Sequence, residues 1–150
     1  MAEDKADWPV NWVKWYGAYA FTQYYQVALP TEAQWEYAAS AAGQLLYPTY
    51  DGELTLVQAN YNGEFAENYN PSGHVVAVGS YEPNLYGLYD MGGNVWEWYL
   101  DYYEMDFYQD GDVDLVNLLA GENSERVRRS GSWNYHANTL LTYVRAADQQ

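Results

Sequence analysis

The sequence contains no cysteine, and this absence excludes several kinds of chemistry. A disulfide framework, a zinc–thiolate site and a thiol nucleophile all require cysteine and are ruled out. The absence does not identify the cellular compartment, because an exported protein need not contain disulfides. The start of the chain, Met-Ala-Glu-Asp-Lys, lacks the pattern of a signal peptide. The sequence therefore leaves the localisation open.

Positive charge is scarce as well. Six Lys and Arg residues stand against 21 Asp and Glu residues, which gives a formal net charge of −15. Such a surface repels phosphate backbones and anionic lipids, so we expect no nucleic-acid partner. The chain also lacks an apolar run of about 18 residues, the minimum for a transmembrane helix, so we expect no membrane insertion.

Aromatic residues, by contrast, are abundant. The 150 residues include 18 Tyr and 7 Trp, and 49% of the chain is hydrophobic, which is too apolar for a disordered protein. Tyr and Trp combine a flat apolar body with a polar edge, so a surplus of them suits an exposed binding surface. Aromatic residues that fill a loop-rich core are the competing interpretation. The length predicts one domain over residues 1–150.

Two helices are predicted in the first third of the chain. Between residues 9 and 25, aromatic residues recur at helical spacing, with Asn11 as the expected cap, at Trp12, Trp15, Tyr16 and Tyr19. A second helix is expected to begin at Thr31, because Gln34 completes a capping box with it, and to stop at Gly43. Its apolar face would consist of Trp35, Ala38, Ala39 and Ala42.

The rest of the chain predicts loops and a small sheet. Residues 44–88 are rich in Gly, Pro, Asn and Tyr, which favours loops and short strands. So long an irregular stretch usually needs a ligand, often a metal, to hold it. Strands are expected at Trp96–Trp98 and Arg126–Arg129, around an acidic loop at 101–125. The predicted class is α+β: two early helices, then a small antiparallel sheet with long loops.

One segment carries a possible metal-binding pattern. In residues 87–98, Asp90 and Glu97 flank a glycine turn whose carbonyl groups are free to point inward. Calcium takes six to eight oxygen ligands from such mixed sources. Taken alone the pattern is weak, because an acidic glycine turn is more often an ordinary loop.

Four segments resemble the formylglycine-generating (sulfatase-modifying factor) family. Leu29–Ala39 resembles its LPTEAEWEYAA signature, and Asn84–Trp98 is similar to its block N-x-x-GLYDMxGNVWEW. Ala59–Gly63 resembles its ANYNG loop, and Arg126–Trp133 its RVxRGGSW strand. The segments occur in family order over nearly the whole chain. The resemblance implies the family's variant of the C-type-lectin fold, here without the family's closing GFR strand and beginning late in the usual domain.

The resemblance also implies structural calcium. The first site would take side-chain oxygens from Asp90 and Glu97 and carbonyl oxygens from Gly93 and Val95. A second site would use the Asn60 side chain and the Tyr61 carbonyl, with its remaining ligands in residues 68–74.

The chain departs from the family at the residues that carry its chemistry. The family's oxidases bind copper through two cysteines that follow the GGSW strand, and Tyr135 and Leu140 stand at those positions here. A phenol and an isobutyl group cannot replace a thiolate pair as soft copper ligands, so we expect no copper and no cysteine-dependent oxidase activity. Family arginines are also replaced, by Ala28 and Ser40.

Binding is the first functional hypothesis. Variable proteins of diversity-generating retroelements, which share this fold, display randomised residues directly after the GGSW strand. The corresponding candidate ligand-binding residues here are Trp133, Asn134, Tyr135, His136, Asn138 and Thr139. Asn, Tyr and His codons differ by one first-base substitution, as adenine-directed mutagenesis of Asn codons would produce. The expected ligand is a protein or a glycan, and ordinary polar loop residues are the competing interpretation.

Two other functions remain open. Some relatives act as oxidases without the cysteine pair, but His74 and His136, the only histidines of the chain, are too few for a three-histidine iron site. A structural or accessory module is the third possibility.

Overall fold

The computed structural model describes residues 5–62, 73–108, 115–119 and 124–149. Its helices are α1 (Trp15–Tyr25) and α2 (Glu32–Ala39), and its strands are β1 (Glu97–Tyr102), β2 (Arg126–Arg129) and β3 (Ala146–Asp148). The three strands form one antiparallel sheet in the order β1-β2-β3. The predicted α+β class with two early helices, a small antiparallel sheet and long loops is confirmed. Among the described residues, no helix is both long and apolar enough to span a bilayer.

Helix α1 starts later than the sequence predicts. Trp15 is its first residue and Lys14 its N-cap, without the side-chain cap expected of Asn11. Trp12 adopts a left-handed conformation (φ 59°) that no helix can include. The chain before α1 instead lies against the sheet, where the Val13 carbonyl accepts a 2.8 Å hydrogen bond from Trp98 Nε1. A tertiary contact thus overrides the helical spacing of the aromatic residues.

Helix α2 confirms the capping box. The amide of Gln34 donates to Thr31 Oγ1 at 3.2 Å, and the amide of Thr31 donates to Gln34 Oε1 at 3.0 Å. The helix ends at Ala39 rather than continuing to Gly43. Ala42 has a φ of 60° and is exposed, so it does not extend the apolar face as predicted.

The sheet packs against α2 on one face and against the N-terminal segment on the other. Tyr99 and Val127 form a buried cluster with Trp35 and Ala39 of α2. On the opposite face, the Arg126 guanidinium lies 3.7 Å from the centre of the Trp15 ring. Side chains alternate between the two faces along a strand, so neighbouring residues of β2 enter different environments.

A buried ion-pair network joins α2 to the sheet. Glu32 is 1% exposed, and Arg145 binds its carboxylate through two hydrogen bonds of 2.8 Å. The Arg129 side chain is fully buried, with its Nε 3.2 Å from Glu32 Oε1, and it also pairs with Glu36. Breaking such a pair leaves an uncompensated buried charge, so the network fixes how α2 docks on the sheet. The helical pattern assigned Glu32 no role in the core.

Candidate metal site and aromatic groove

The two carboxylates of the predicted first calcium site interact electrostatically. Asp90 Oδ2 accepts a 2.7 Å hydrogen bond from the Gly79 amide, and Glu97 Oε2 accepts one of 2.6 Å from the Tyr99 hydroxyl. Burial, followed by the repulsion of Asp90, raises the pKa of Glu97 to about 7, although the Tyr99 hydrogen bond opposes the shift. The carboxylates therefore repel one another, as expected of a pair suited to a shared cation.

The predicted carbonyl ligands also approach a common point. The hydroxyl oxygen of Ser130 lies 3.3 Å from the Gly93 carbonyl oxygen and 3.5 Å from that of Val95. Gly93 has a φ of +81°, and a Cβ at this position would clash with the carbonyl oxygen of Asn60. Only glycine fits this close approach without strain.

The loop of the predicted second site contacts the first. Asn60 is 1% exposed, its carbonyl accepts from the Asn94 amide at 2.8 Å, and its Nδ2 donates to Asn94 Oδ1 at 3.2 Å and to the His74 carbonyl at 3.0 Å. Tyr61 is buried beside it, 6% exposed. Residues 68–72 lie outside the described residues, so a second ligand set is not defined. Asn94 joins the two loops into one unit.

The donor chemistry of this unit is that of a hard cation. Across the ranges that the structure describes, no three His, Cys, Asp or Glu side chains form a metal-binding group. The predicted donors are two carboxylates that interact with each other and two backbone carbonyls that lie near Ser130 Oγ, and all of them are oxygen atoms. Calcium accepts such sets because its coordination is flexible and includes main-chain carbonyls. The residues therefore fit calcium better than a metal that needs nitrogen or sulfur ligands.

A groove of about 500 Å³ opens beside this unit. Five aromatic side chains line it: Trp12, Trp96, Trp98, Trp133 and Tyr135. The Tyr135 ring meets the Trp96 ring edge to face, with 5.3 Å between their centres. Trp12 is 98% exposed and 38% of Tyr135 is exposed, so both present apolar surface to solvent. Volumes of this size are typical of ligand sites.

The groove contains half of the predicted ligand-binding residues. Trp133, Asn134 and Tyr135 line it, whereas His136, Asn138 and Thr139 are not part of its lining. His136 and Asn138 are exposed beyond its edge, and Thr139 Oγ1 donates to the His136 carbonyl at 2.8 Å.

The main chain of the predicted binding loop is held in place. The Tyr135 carbonyl accepts from the Asn62 amide at 2.9 Å, and its amide donates to the Ser132 carbonyl at 2.9 Å. The next residues form a short 3₁₀ helix, Ala137–Leu140. The loop thus combines a fixed main chain with exposed side chains.

Sequence reasoning missed the other aromatic and charged residues that line the groove. They are Trp12, Lys14, Trp96, Trp98, Arg128 and Asp148. Trp96 and Trp98 are two residues apart, and strand alternation could have placed them on one face. Arg128 pairs with Trp98 across β1 and β2. Its Nη1 lies 3.0 Å from Asp148 Oδ2, and its guanidinium lies 4.8 Å from the Trp96 ring centre.

The two positions of the family cysteines lie in different environments. Leu140 is fully buried in a cluster with Ala59 and Tyr61. Gly131 makes room for it, because a Cβ there would lie 2.6 Å from Leu140 Cδ1. Tyr135 instead faces the groove. One of the two positions therefore lies in the core, and the other lines the groove.

Comparison with known proteins identifies the family. The model of the sulfatase-modifying factor enzyme 1-like domain matches residues 1–150. The chain belongs to this family. The formylglycine-generating enzyme of Streptomyces coelicolor is 35% identical over 147 residues, 93% of this chain and 46% of the relative. The family predicted from the four motifs is confirmed.

The chain is also similar to two proteins with other descriptions. The serine/threonine-protein kinase pkn1 of Chlamydia pneumoniae is 43% identical over 127 residues, 83% of this chain but 19% of the relative. The structure of Treponema denticola variable protein 1 superimposes with a TM-score of 0.65 and 32% identity, over 81% of this chain and 41% of that protein. The chain thus spans less than half of each relative. The structural match confirms the lectin-like fold class.

Proposed function

We propose that this domain binds a protein or glycan ligand and does not perform the family's cysteine-dependent oxidation. The observation that carries the proposal is the aromatic groove at the position of the first family cysteine. Tyr135 replaces that cysteine and forms part of the groove wall with Trp96 and Trp133. Large aromatic residues in a concave site are the side chains that most often dominate binding energy.

The loop after the groove extends the proposed binding surface. We assign ligand contact to the exposed side chains of Asn134, Tyr135, His136 and Asn138, supported by Trp133 and Thr139. Their main chain is fixed by hydrogen bonds, so side chains can change while the fold stays constant. The likeness to a protein described as a variable protein supports this interpretation. Because a rigid loop loses little entropy on binding, it favours affinity.

We further propose that calcium holds the loops beneath the groove. Asp90, Glu97 and the carbonyls of Gly93 and Val95 would hold one ion, and Asn60 and Tyr61 would contribute to another. A bound divalent ion supplies positive charge that compensates the carboxylate repulsion. Val95 both lines the groove and belongs to this ligand set. Calcium would therefore stabilise one wall of the binding surface directly.

Array binding with a matched pair of variants tests the proposal. Fluorescently labelled protein is applied to glycan and peptide arrays in calcium buffer, as wild type, Tyr135→Ala and Tyr143→Ala. Tyr143 is 59% exposed and lies outside the groove lining, so it controls for the loss of any exposed tyrosine. We expect Tyr135→Ala to weaken binding by about tenfold or more, since interface tyrosines are frequent hot spots.

The control variant should bind as the wild type does. Thermal unfolding of all three proteins checks that the fold is retained. If no array component binds, or if both variants bind as tightly as the wild type, the groove is not the ligand site.

A further inference from the structure

The few basic residues of this acidic chain are unevenly distributed. Arg129 and Arg145 both form ion pairs with the buried carboxylate of Glu32. Arg126 lies between the rings of Trp15 and Tyr102, at 3.7 and 3.4 Å from their centres.

The groove receives two of the remaining three basic residues. Lys14 and Arg128 both line it, while Lys5 lies 4.3 Å from the centre of the Trp8 ring, outside the lining. Asp148 lines the groove as well, so the charged side chains of the lining sum to a formal charge of +1 in a chain of net charge −15. Such a site favours an anionic group on the ligand.

Arg128 is arranged to exchange partners. Its side chain is 24% exposed, and that of Asp148, its ion-pair partner at 3.0 Å, is 51% exposed. A half-exposed carboxylate can leave an ion pair at little cost, because such pairs are worth less than about 1 kcal/mol. A ligand carboxylate can therefore replace Asp148 and bind the planar guanidinium through two hydrogen bonds.

The uncharged polar side chains of the groove suit a ligand with hydroxyl groups. They are amides and a hydroxyl, from Asn11, Ser132, Asn134 and Gln149. Such groups both donate and accept, which matches the hydroxyl groups of a sugar.

The aromatic side chains favour a saccharide over a peptide. Four indoles and one phenol line the groove, and flat rings of this kind pack against the C–H faces of pyranose rings. An acidic protein would present many negative charges and be repelled by the net charge of −15. A short saccharide brings only a few carboxylates and therefore meets less of that repulsion, while Arg128 and Lys14 attract it locally.

We propose that the ligand of the groove is an acidic oligosaccharide whose hexuronate carboxylate binds Arg128 in place of Asp148. Its sugar rings stack on the tryptophans, and its hydroxyl groups bind the amide side chains. This inference rests on the binding function proposed above and specifies the chemistry of its ligand.

Titration calorimetry with matched ligands and variants tests the inference. The probes are tetrasaccharides of galacturonate, mannuronate and glucuronate, each with its methyl-esterified, uncharged counterpart. We expect at least one acidic probe to bind, and its ester to bind about tenfold more weakly or worse, because esterification removes the charge that the guanidinium binds. Arg128→Gln should weaken the acidic probe by a similar factor and leave the ester unaffected.

The Asp148→Asn variant distinguishes ligand binding by Arg128 from a purely structural role of Arg128. It removes the competing carboxylate, so the acidic probe should bind more tightly, opposite in sign to Arg128→Gln. Unchanged thermal unfolding midpoints for both variants exclude loss of fold. Equal binding of acid and ester, or no binding of any acidic probe, overturns the inference.

The arrays separate this failure from that of the proposed function. A neutral glycan or a peptide that loses binding in Tyr135→Ala would retain the groove as a ligand site and reject the acidic saccharide. Absence of any groove ligand would reject both.

Discussion

Arg128 and Arg129 are consecutive residues of β2, but the side chain of Arg129 is fully buried whereas that of Arg128 is partly exposed. Arg129 is fully buried against α2, where it pairs with Glu32 and Glu36 and lies 4.9 Å from the Trp35 ring centre. Arg128 points to the other face, beside Trp96 in the groove. The alternation of side chains along a strand is the whole cause of the difference. Residue type alone therefore does not separate an arginine that holds the fold from one available to a ligand.

The partners of the two arginines differ as much as their burial. The carboxylate of Glu32 is buried and cannot exchange its guanidinium for water, whereas Asp148 is half exposed. Loss of a buried partner leaves an uncompensated charge in the protein interior. Loss of an exposed partner leaves a charge that water can solvate.

Replacing the buried arginine should have the largest effect. Arg129→Met leaves Glu32 with Arg145 alone and should lower the free energy of unfolding by about 3–5 kcal/mol, the cost of breaking a buried pair. Urea unfolding followed by tryptophan fluorescence measures the change. Arg128→Met is the matched control on the same strand and should cost less than about 1 kcal/mol. Equal losses for the two variants would contradict the assignment of faces.

Calcium should act on the first predicted site with the next largest effect. At a calcium concentration about a hundredfold above its Kd, the ion should add about 2.7 kcal/mol to the free energy of unfolding. Thermal unfolding with calcium and with chelator measures the shift, which Asp90→Ala and Glu97→Ala should each abolish. Glu53→Ala, an exposed carboxylate outside the site, should leave it intact. No shift in wild-type protein freed of tightly bound metal would reject the calcium proposal.

The contrast between Arg128 and Arg129 extends to two glutamates. Glu32 receives two arginines, whereas Glu97 faces Asp90, and its pKa is raised to about 7. In chelator, the contribution of protonated Glu97 to the free energy of unfolding should be complete below its pKa in the unfolded chain, about 4.5. This contribution should be lost as the pH rises through 7, the pKa of Glu97 in the folded protein.

The variant Glu97→Gln should remove this pH dependence because an amide does not ionise. At pH 8 in chelator we expect Glu97→Gln to be more stable than the wild type by about 1–3 kcal/mol. In excess calcium the order should reverse, since the variant loses a ligand. Unfolding midpoints between pH 5 and 8 test both signs. If the free energy of unfolding of the wild type does not change across this pH range in chelator, the pKa of Glu97 is not raised in the folded protein.

The sequence predicted the parts of the fold that depend on local chemistry or on contiguous motifs. The capping box of Thr31 and Gln34 needs only neighbouring residues, and the glycine turn of 87–98 keeps its pattern within one segment. The groove depends instead on long-range contacts: Trp12 reaches it through a left-handed turn, and Asp148 through the pairing of β3. Trp12 fits the helical spacing of the aromatic residues although it lies outside α1, and Asp148 belongs to no periodic pattern. Three of the six predicted ligand-binding residues line the groove, and they are the three at the end of the GSW strand or directly after it.

The smallest predicted effect is the coupling of Arg128 with Asp148. A double-mutant cycle of Arg128→Met and Asp148→Asn should give a coupling free energy of about 0.2–1 kcal/mol, as for other exposed ion pairs. Because the pair is partly exposed, about 1 M salt should reduce the coupling further, since charges are then screened within about 3 Å. Urea unfolding of the four proteins at low and high salt provides the measurement. A coupling of several kcal/mol, unaffected by salt, would mean that Asp148 is bound as firmly as Glu32. Arg128 would then be a second structural arginine, unable to release its partner for a ligand.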